Sequence, residues 1–202
     1  MIKPQGYDNV QAAGSYEKLA VGGHILVIKK VEEGKTYAGK DKITIYFDTD
    51  KSDKQPNFFS NAFKNDTRQG KKWPWNGHKD ELVYTADGDP SGFLKGFHEA
   101  VEKSNNGFKI VWDLEGANTK NYEKCFAGKL VGGVFQNEEF LDQNTGESKF
   151  SVKFKEWVTV EAVKQGIQPP KDKLLNPGSS NNSNSFNDNG DITPVDDGDM
   201  PF

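Results

Sequence analysis

A single cysteine, Cys125, among 202 residues excludes an internal disulfide and fits a reducing cytosol. Beside Phe126 it reads as a small apolar filler of a core rather than a reactive thiol. No stretch approaches the roughly 18 apolar residues of a membrane span, and Met1-Ile2-Lys3-Pro4-Gln5-Gly6 lacks the apolar run of a secretory signal. Histidine is scarce too. His24, His78 and His98 are widely scattered and hold no metal-ligand spacing to one another or to Cys125.

Signatures of catalysis are also missing. Asp48-x-Asp50 opens like a calcium loop, but Asp53 stands where glycine is required and Phe59 where the closing Glu belongs. There is no P-loop, no dinucleotide fingerprint and no serine-nucleophile elbow. The expectation is a non-enzymatic protein without metal or cofactor. Its enzymatic rival is a metal-dependent recombination nuclease, which would gather Glu33 and Lys35 with Asp48 or Asp50. Such combinations arise readily in a chain with 28% charged residues.

Cationic charge is in short supply overall, with a formal net charge of −4, but it is unevenly spread. Residues 176–202 hold Asp188, Asp191, Asp196, Asp197 and Asp199 and no Lys or Arg. The remaining 175 residues carry 26 basic against 25 acidic side chains, so any anionic partner must be met by local clusters rather than by bulk charge. Composition shifts near residue 170. The polar run through Ser179-Ser180-Asn181-Asn182-Ser183-Asn184-Ser185 cannot bury enough apolar surface to offset its ordering entropy, which predicts residues 173–202 as a disordered linker with an acidic tip.

What is abundant is aromatic: 14 Phe and 4 Trp, enough for both a core and a working surface. Strand patterns dominate residues 1–172. Ile25–Val31 reads as a long central strand, and residues 42–48 alternate, with Ile43, Ile45 and Phe47 on one face and Lys42, Thr44 and Tyr46 on the other. A third strand is placed at Asn57–Lys64. A helix follows Asp89-Pro90-Ser91, with Phe93, Phe97 and Val101 as its apolar stripe and an end near Asn105-Asn106-Gly107. Gly128–Phe135 and Lys149–Val160 complete the strands, joined as a hairpin through Asn144-Thr145-Gly146-Glu147. Short extra elements are expected near Phe108–Trp112 and Tyr122–Phe126. Three strands, a helix and two strands suit a mainly β, OB-fold-like five-stranded Greek-key barrel with its helix between strands 3 and 4. A split barrel or a small α+β sheet accommodates the same order.

Two segments combine cations with aromatic rings. In the last strand Phe150, Val152, Phe154 and Val158 are expected in the core, leaving Lys149, Ser151, Lys153, Lys155 and Trp157 on the solvent face. Lysines neutralise phosphates and a ring stacks a base, so this face suits single-stranded DNA; a solvated strand edge guarded by lysines is the plainer reading. The connection Lys64-Asn65-Asp66-Thr67-Arg68-Gln69-Gly70-Lys71-Lys72-Trp73-Pro74-Trp75 places four cations beside two tryptophans. It reads as a loop that closes over a strand, unless Trp73 and Trp75 simply cap the core. Tyr46 adds a candidate stacking ring or an ordinary cross-strand contact.

The ending Asp196-Asp197-Gly198-Asp199-Met200-Pro201-Phe202 resembles the acidic tip of bacterial single-stranded DNA-binding proteins, with Gly198 interrupting the acidic run. Met1-Ile2-Lys3-Pro4-Gln5-Gly6-Tyr7, Gly22-Gly23-His24, Lys64-Asn65-Asp66-Thr67-Arg68 and Gly128-Lys129-Leu130-Val131-Gly132-Gly133-Val134-Phe135 are similar to a group of phage-encoded proteins of Gram-positive hosts. This resemblance implies an OB-fold replication or recombination protein in the cytoplasm of a bacterial host, with a homo-oligomer allowed. The tip is expected to recruit replication or recombination proteins: Phe202 and its carboxylate offer an anchor, and the aspartates steer the encounter. An adaptor that acts only through this tail is the remaining alternative.

Overall fold

The computed structural model describes residues 1–5, 7–9, 17–116 and 119–175. Residues 176–202, including the tip Asp196, Asp197, Asp199, Met200, Pro201 and Phe202, lie outside the described residues. Five antiparallel strands, β1 (Gly22–Lys35), β2 (Asp41–Thr49), β3 (His78–Leu82), β4 (Leu130–Leu141) and β5 (Ser148–Val158), form one sheet in the order β3-β2-β1-β4-β5. The apolar run at Ile25–Val31 does lie in the central strand, which pairs with β2 on one side and β4 on the other. Ile43, Ile45 and Phe47 are fully buried, as their alternation requires, and they meet Leu26, Ile28, Val31 and Phe135 in one core.

Three strands, a helix and two strands is also the observed arrangement around the sheet, but the third strand is not where the sequence suggests. Residues 58–65 form helix α1 (Phe58–Asn65). The run Asn57–Lys64 has no β-branched residue, and Phe58, Phe59, Ala62 and Phe63 recur at helical spacing. Asn57 sits at the N-cap with φ 54° and makes no side-chain cap. The cap comes from β2 instead. Buried Asp48 accepts hydrogen bonds from the backbone N–H of Phe59 at 2.9 Å and of Ser60 at 3.3 Å, and from the Ser60 hydroxyl. The carboxylate thus satisfies donors that the first turn of any helix leaves open.

Helix α2 (Gly92–Ser104) lies between β3 and β4 and is capped by Ser91, whose hydroxyl accepts from the Leu94 N–H. Its buried face is Phe97, Ala100 and Val101; Phe93, expected in the stripe, is exposed. Residues 108–112 take no regular structure, whereas α3 (Asn121–Cys125) occupies the second short segment. Helix α4 (Val160–Gln165) packs on the outer side of β4. Close packing on both faces accounts for the Gly132-Gly133 pair in β4. A Cβ on Gly132 would lie 2.7 Å from methyl carbons of Val158 and Val163, and one on Gly133 would lie 2.6 Å from Leu26 Cδ1. Each face of the strand is covered too closely for a side chain.

The histidines are structural in two of three cases. His24 is buried, with Nδ1 2.9 Å from the Asp53 carboxylate and Nε2 2.8 Å from the Ala20 carbonyl, which ties residues 50–55 to β1. His98 on α2 has Nε2 2.7 Å from the Tyr122 hydroxyl, and burial holds its pKa down at about 4 against the opposing charge of Glu102. The unfolded chain therefore binds the extra proton between about pH 6.5 and about pH 4 while the folded chain does not. Stability from this site is complete above that window and is lost as pH falls through it. Urea unfolding should show about 2 kcal/mol less stability from this group near pH 5 than near pH 7, and His98→Phe should flatten that part of the profile. An unchanged profile in the variant would remove His98 from the account.

The β4–β5 hairpin runs on past the end of β1 as an arm, and Phe140, Leu141 and Phe150 are exposed on it. Phe150, expected in the core, is outside it for this reason. Residues 173–175, the near end of the expected tail, lie along the free side of the arm: the Lys173 N–H donates to the Asn137 carbonyl and the Glu139 N–H to the Lys173 carbonyl, both at 2.9 Å.

Candidate nucleic-acid interface

The outer face of β1, β2 and β3 brings Lys30, Tyr46 and His78 into register across three strands. The Lys30 ammonium lies 5.6 Å from the Tyr46 ring centroid, and the Tyr46 and His78 rings are 5.6 Å apart. Burial, together with the neighbouring Glu32, raises the Tyr46 phenol above its usual range, so it keeps its proton. His78 follows directly on a single 3₁₀ turn, Trp75–Gly77, that ends the connection from α1. Trp75 is 59% exposed, and the Lys153 ammonium of β5 sits 5.8 Å from its ring centroid. Two cations, Lys30 and Lys153, thus flank the rings of Tyr46, His78 and Trp75.

Beside Trp75 opens a cavity of about 760 Å³ whose walls include Phe63, Arg68, Lys72, Trp73, Trp75 and His78. Arg68 is bound by Asp66 at 2.7 Å, and this contact holds the Asp66 carboxyl down at about 2. Lys71 lies over the Phe63 ring at 4.7 Å. Lys64 is exposed in the last turn of α1. Trp73 turns inward: its indole N–H donates to the Gly77 carbonyl at 2.9 Å, and its ring packs on Phe63 and the core. The two tryptophans of this connection divide their tasks, one closing the core and one facing solvent.

Trp157 corrects the expected solvent face of β5. The β4–β5 register slips between Val134, opposite Glu156, and Phe135, opposite Phe154, which leaves Lys155 as an extra residue. Such a bulge reverses the alternation. Phe154 and Trp157 then point the same way, with rings 4.3 Å apart, and Trp157 packs on Phe97 at 4.9 Å. Its indole N–H donates to Glu81 of β3 at 2.9 Å. Among the described residues no ladder joins β3 to β5; this bond and α2 span the line between them. Lys155 lies at that seam, apart from the Trp75 cavity, while Lys153 pairs with Glu138 at 3.2 Å.

No local sequence pattern marks Lys30 or His78 as part of this face. A lone histidine two residues past an exposed Trp-Asn pair is a weak signal, and Lys30 became visible only through the strand register. The carboxylates of the nuclease alternative do not converge: Asp48 caps α1 and Asp50 binds Ser52. Among the described residues no group of three or more His, Cys, Asp or Glu is placed to hold a metal ion, and no helix is long and apolar enough to cross a membrane.

A small antiparallel β domain with an aromatic and cationic outer face is thus defined by structure alone. No family model matches the chain. Over 102 residues it is 32% identical to single-stranded DNA-binding protein 3 of Clostridium acetobutylicum, covering 46% of this chain and 65% of that protein. It is 33% identical over 102 residues to the single-stranded DNA-binding protein of Clostridium tetani, covering 46% of this chain and 66% of that protein. The chain spans about two thirds of the length of these curated relatives.

Proposed function

We propose that this chain is a non-catalytic protein that binds single-stranded DNA with little sequence preference, through an OB-type barrel. The observation that carries this reading is the exposed Trp75 ring under Lys153, at the mouth of a cavity that Arg68 and Lys72 also line. A base stacked on Trp75 leaves its phosphates within the field of these cations. Tyr46, Lys64, Lys71 and Lys155 extend the cationic and aromatic surface. The strand order, the helix between β3 and β4 and the two similar single-stranded DNA-binding proteins support the barrel assignment.

On this reading the protein guards single strands during phage replication or recombination in a bacterial cytoplasm. Its acidic tip, Asp196 to Phe202, recruits partner proteins. The resemblance of the tip and of the opening motifs supports this part.

Anisotropy of fluorescein-labelled oligo(dT), titrated with the full chain at rising salt, tests the reading. Binding should weaken with a log–log slope of about −0.7 for each phosphate contacted, with quenching of the intrinsic tryptophan signal. No binding at low salt removes DNA from the account and leaves the tip as the working element.

A further inference from the structure

The arm formed by β4 and β5 has one covered edge and one open edge. On the β4 side, the Glu139 N–H and the Asn137 carbonyl both point away from β5, and Lys173 takes both. In an antiparallel ladder the residues opposite such positions also turn their N–H and C=O outward. Glu139 stands opposite Phe150 and Asn137 opposite Val152, and Leu141 opposite Ser148 follows in the same phase. Ser148, Phe150 and Val152 therefore present a row of backbone donors and acceptors on the outer side of β5. Among the described residues no strand pairs there. Phe150 is 45% exposed, and Leu141, diagonal to it on the same face, is 60% exposed. An open edge beside an apolar face is a template for another strand.

The charges along this edge decide which strand fits. A second copy of β5 can pair with it antiparallel about a two-fold axis, and opposed side chains share a face only if the axis passes through a residue. An axis at Lys149 sets that lysine against itself, and an axis at Ser151 sets Lys149 against Lys153 of the second copy. Like charges directly opposite each other destabilise a strand pair. An axis at Ser148 runs the pairing into the hairpin turn, and one at Val152 runs it into the bulge at Lys155. An axis at Phe150 opposes Lys149 to Ser151 and Glu147 to Lys153, and brings the two Phe150 rings together. In this register every outward N–H of Ser148, Phe150 and Val152 meets an outward carbonyl of the second copy. The lysines that guard the edge against other strands leave this one self-complementary register open.

We propose that the chain dimerises by joining the open β5 edges of two copies, centred on Phe150, so that the two sheets become one. The two-fold axis stands perpendicular to the sheet, so both Trp75–Lys153 sites fall on the same face. Each site then has Glu147 of the other copy beside its lysine. The dimer does not depend on what the chain binds.

Sedimentation equilibrium of the full chain without DNA, over a wide range of concentration, tests the pairing. The wild-type chain should show a reversible monomer–dimer equilibrium. Glu147→Lys sets lysine against Lys153 at both ends of the joint and should raise the dimer dissociation constant about tenfold. Lys153→Glu should do the same, and the double variant, in which the opposed charges attract again, should regain the wild-type constant. Phe150→Pro removes the central outward N–H without taking a hydrogen bond from the β4–β5 ladder, and should leave only monomer. A chain that stays monomeric throughout, a dimer indifferent to the single charge changes, or one that the double variant fails to restore overturns the pairing. The single-strand reading stands or falls separately, on the oligo(dT) titration.

Discussion

Replacing Trp75 by alanine should weaken oligo(dT) binding by about 1–3 kcal/mol, about fivefold to over a hundredfold in Kd, with little loss of stability. The ring is largely exposed and its ordered neighbour is the Lys153 ammonium rather than the core, so its removal leaves no buried void. Trp75→Phe should recover most of the affinity, because a phenyl face still stacks. The salt slope separates stacking from charge: it should stay constant in Trp75→Ala and become shallower in Lys153→Ala. Trp157→Ala is the informative contrast. Its ring packs on Phe97 and Phe154, so that change should cost stability first, about 3 kcal/mol for a large aromatic truncated in a core. A Trp75→Ala protein with wild-type affinity would move the contact surface away from this turn.

Asp48→Ala should be the most destabilising single change at a polar residue, by about 3 kcal/mol in urea unfolding at neutral pH. The carboxylate is fully buried and accepts from the N–H groups of Thr49, Phe59 and Ser60. Without it, donors at the start of α1 are stranded, and each buried, unsatisfied group costs about 1–3 kcal/mol. Asp48→Asn keeps one acceptor oxygen and should fall between. The connection carrying Arg68, Lys72 and Trp75 starts at the end of α1, so affinity should fall along with stability. A loss under 1 kcal/mol in Asp48→Ala would show that water takes over the cap.

β1, β2, β4 and β5 could be read because β-branched and aromatic residues repeat on their buried faces. β3 could not. Its inward positions are Lys79 and Glu81, since it borders the seam and needs no apolar inner face there. Residues 57–64 read as a strand because Phe58, Phe59 and Phe63 suit either period, and the carboxylate that decides for helix α1 sits ten residues upstream of its start on another element. Trp157 was placed outside by an alternation that one extra residue reverses. At the candidate interface, the sequence marks Trp75, Arg68 and Lys72 as a local cluster and Lys153 as an outward lysine. Their meeting with Tyr46, His78 and Lys30 depends on strand register, which a local pattern does not contain.

The seam between β3 and β5 gives the domain a preferred line of yielding. Every other strand boundary is zipped by backbone ladders, whereas this one is fastened by the Trp157–Glu81 bond and by α2 lying across it. Opening of the sheet is expected first along this line, read as faster amide exchange at the facing edges of β3 and β5 than within the β1–β4 ladder.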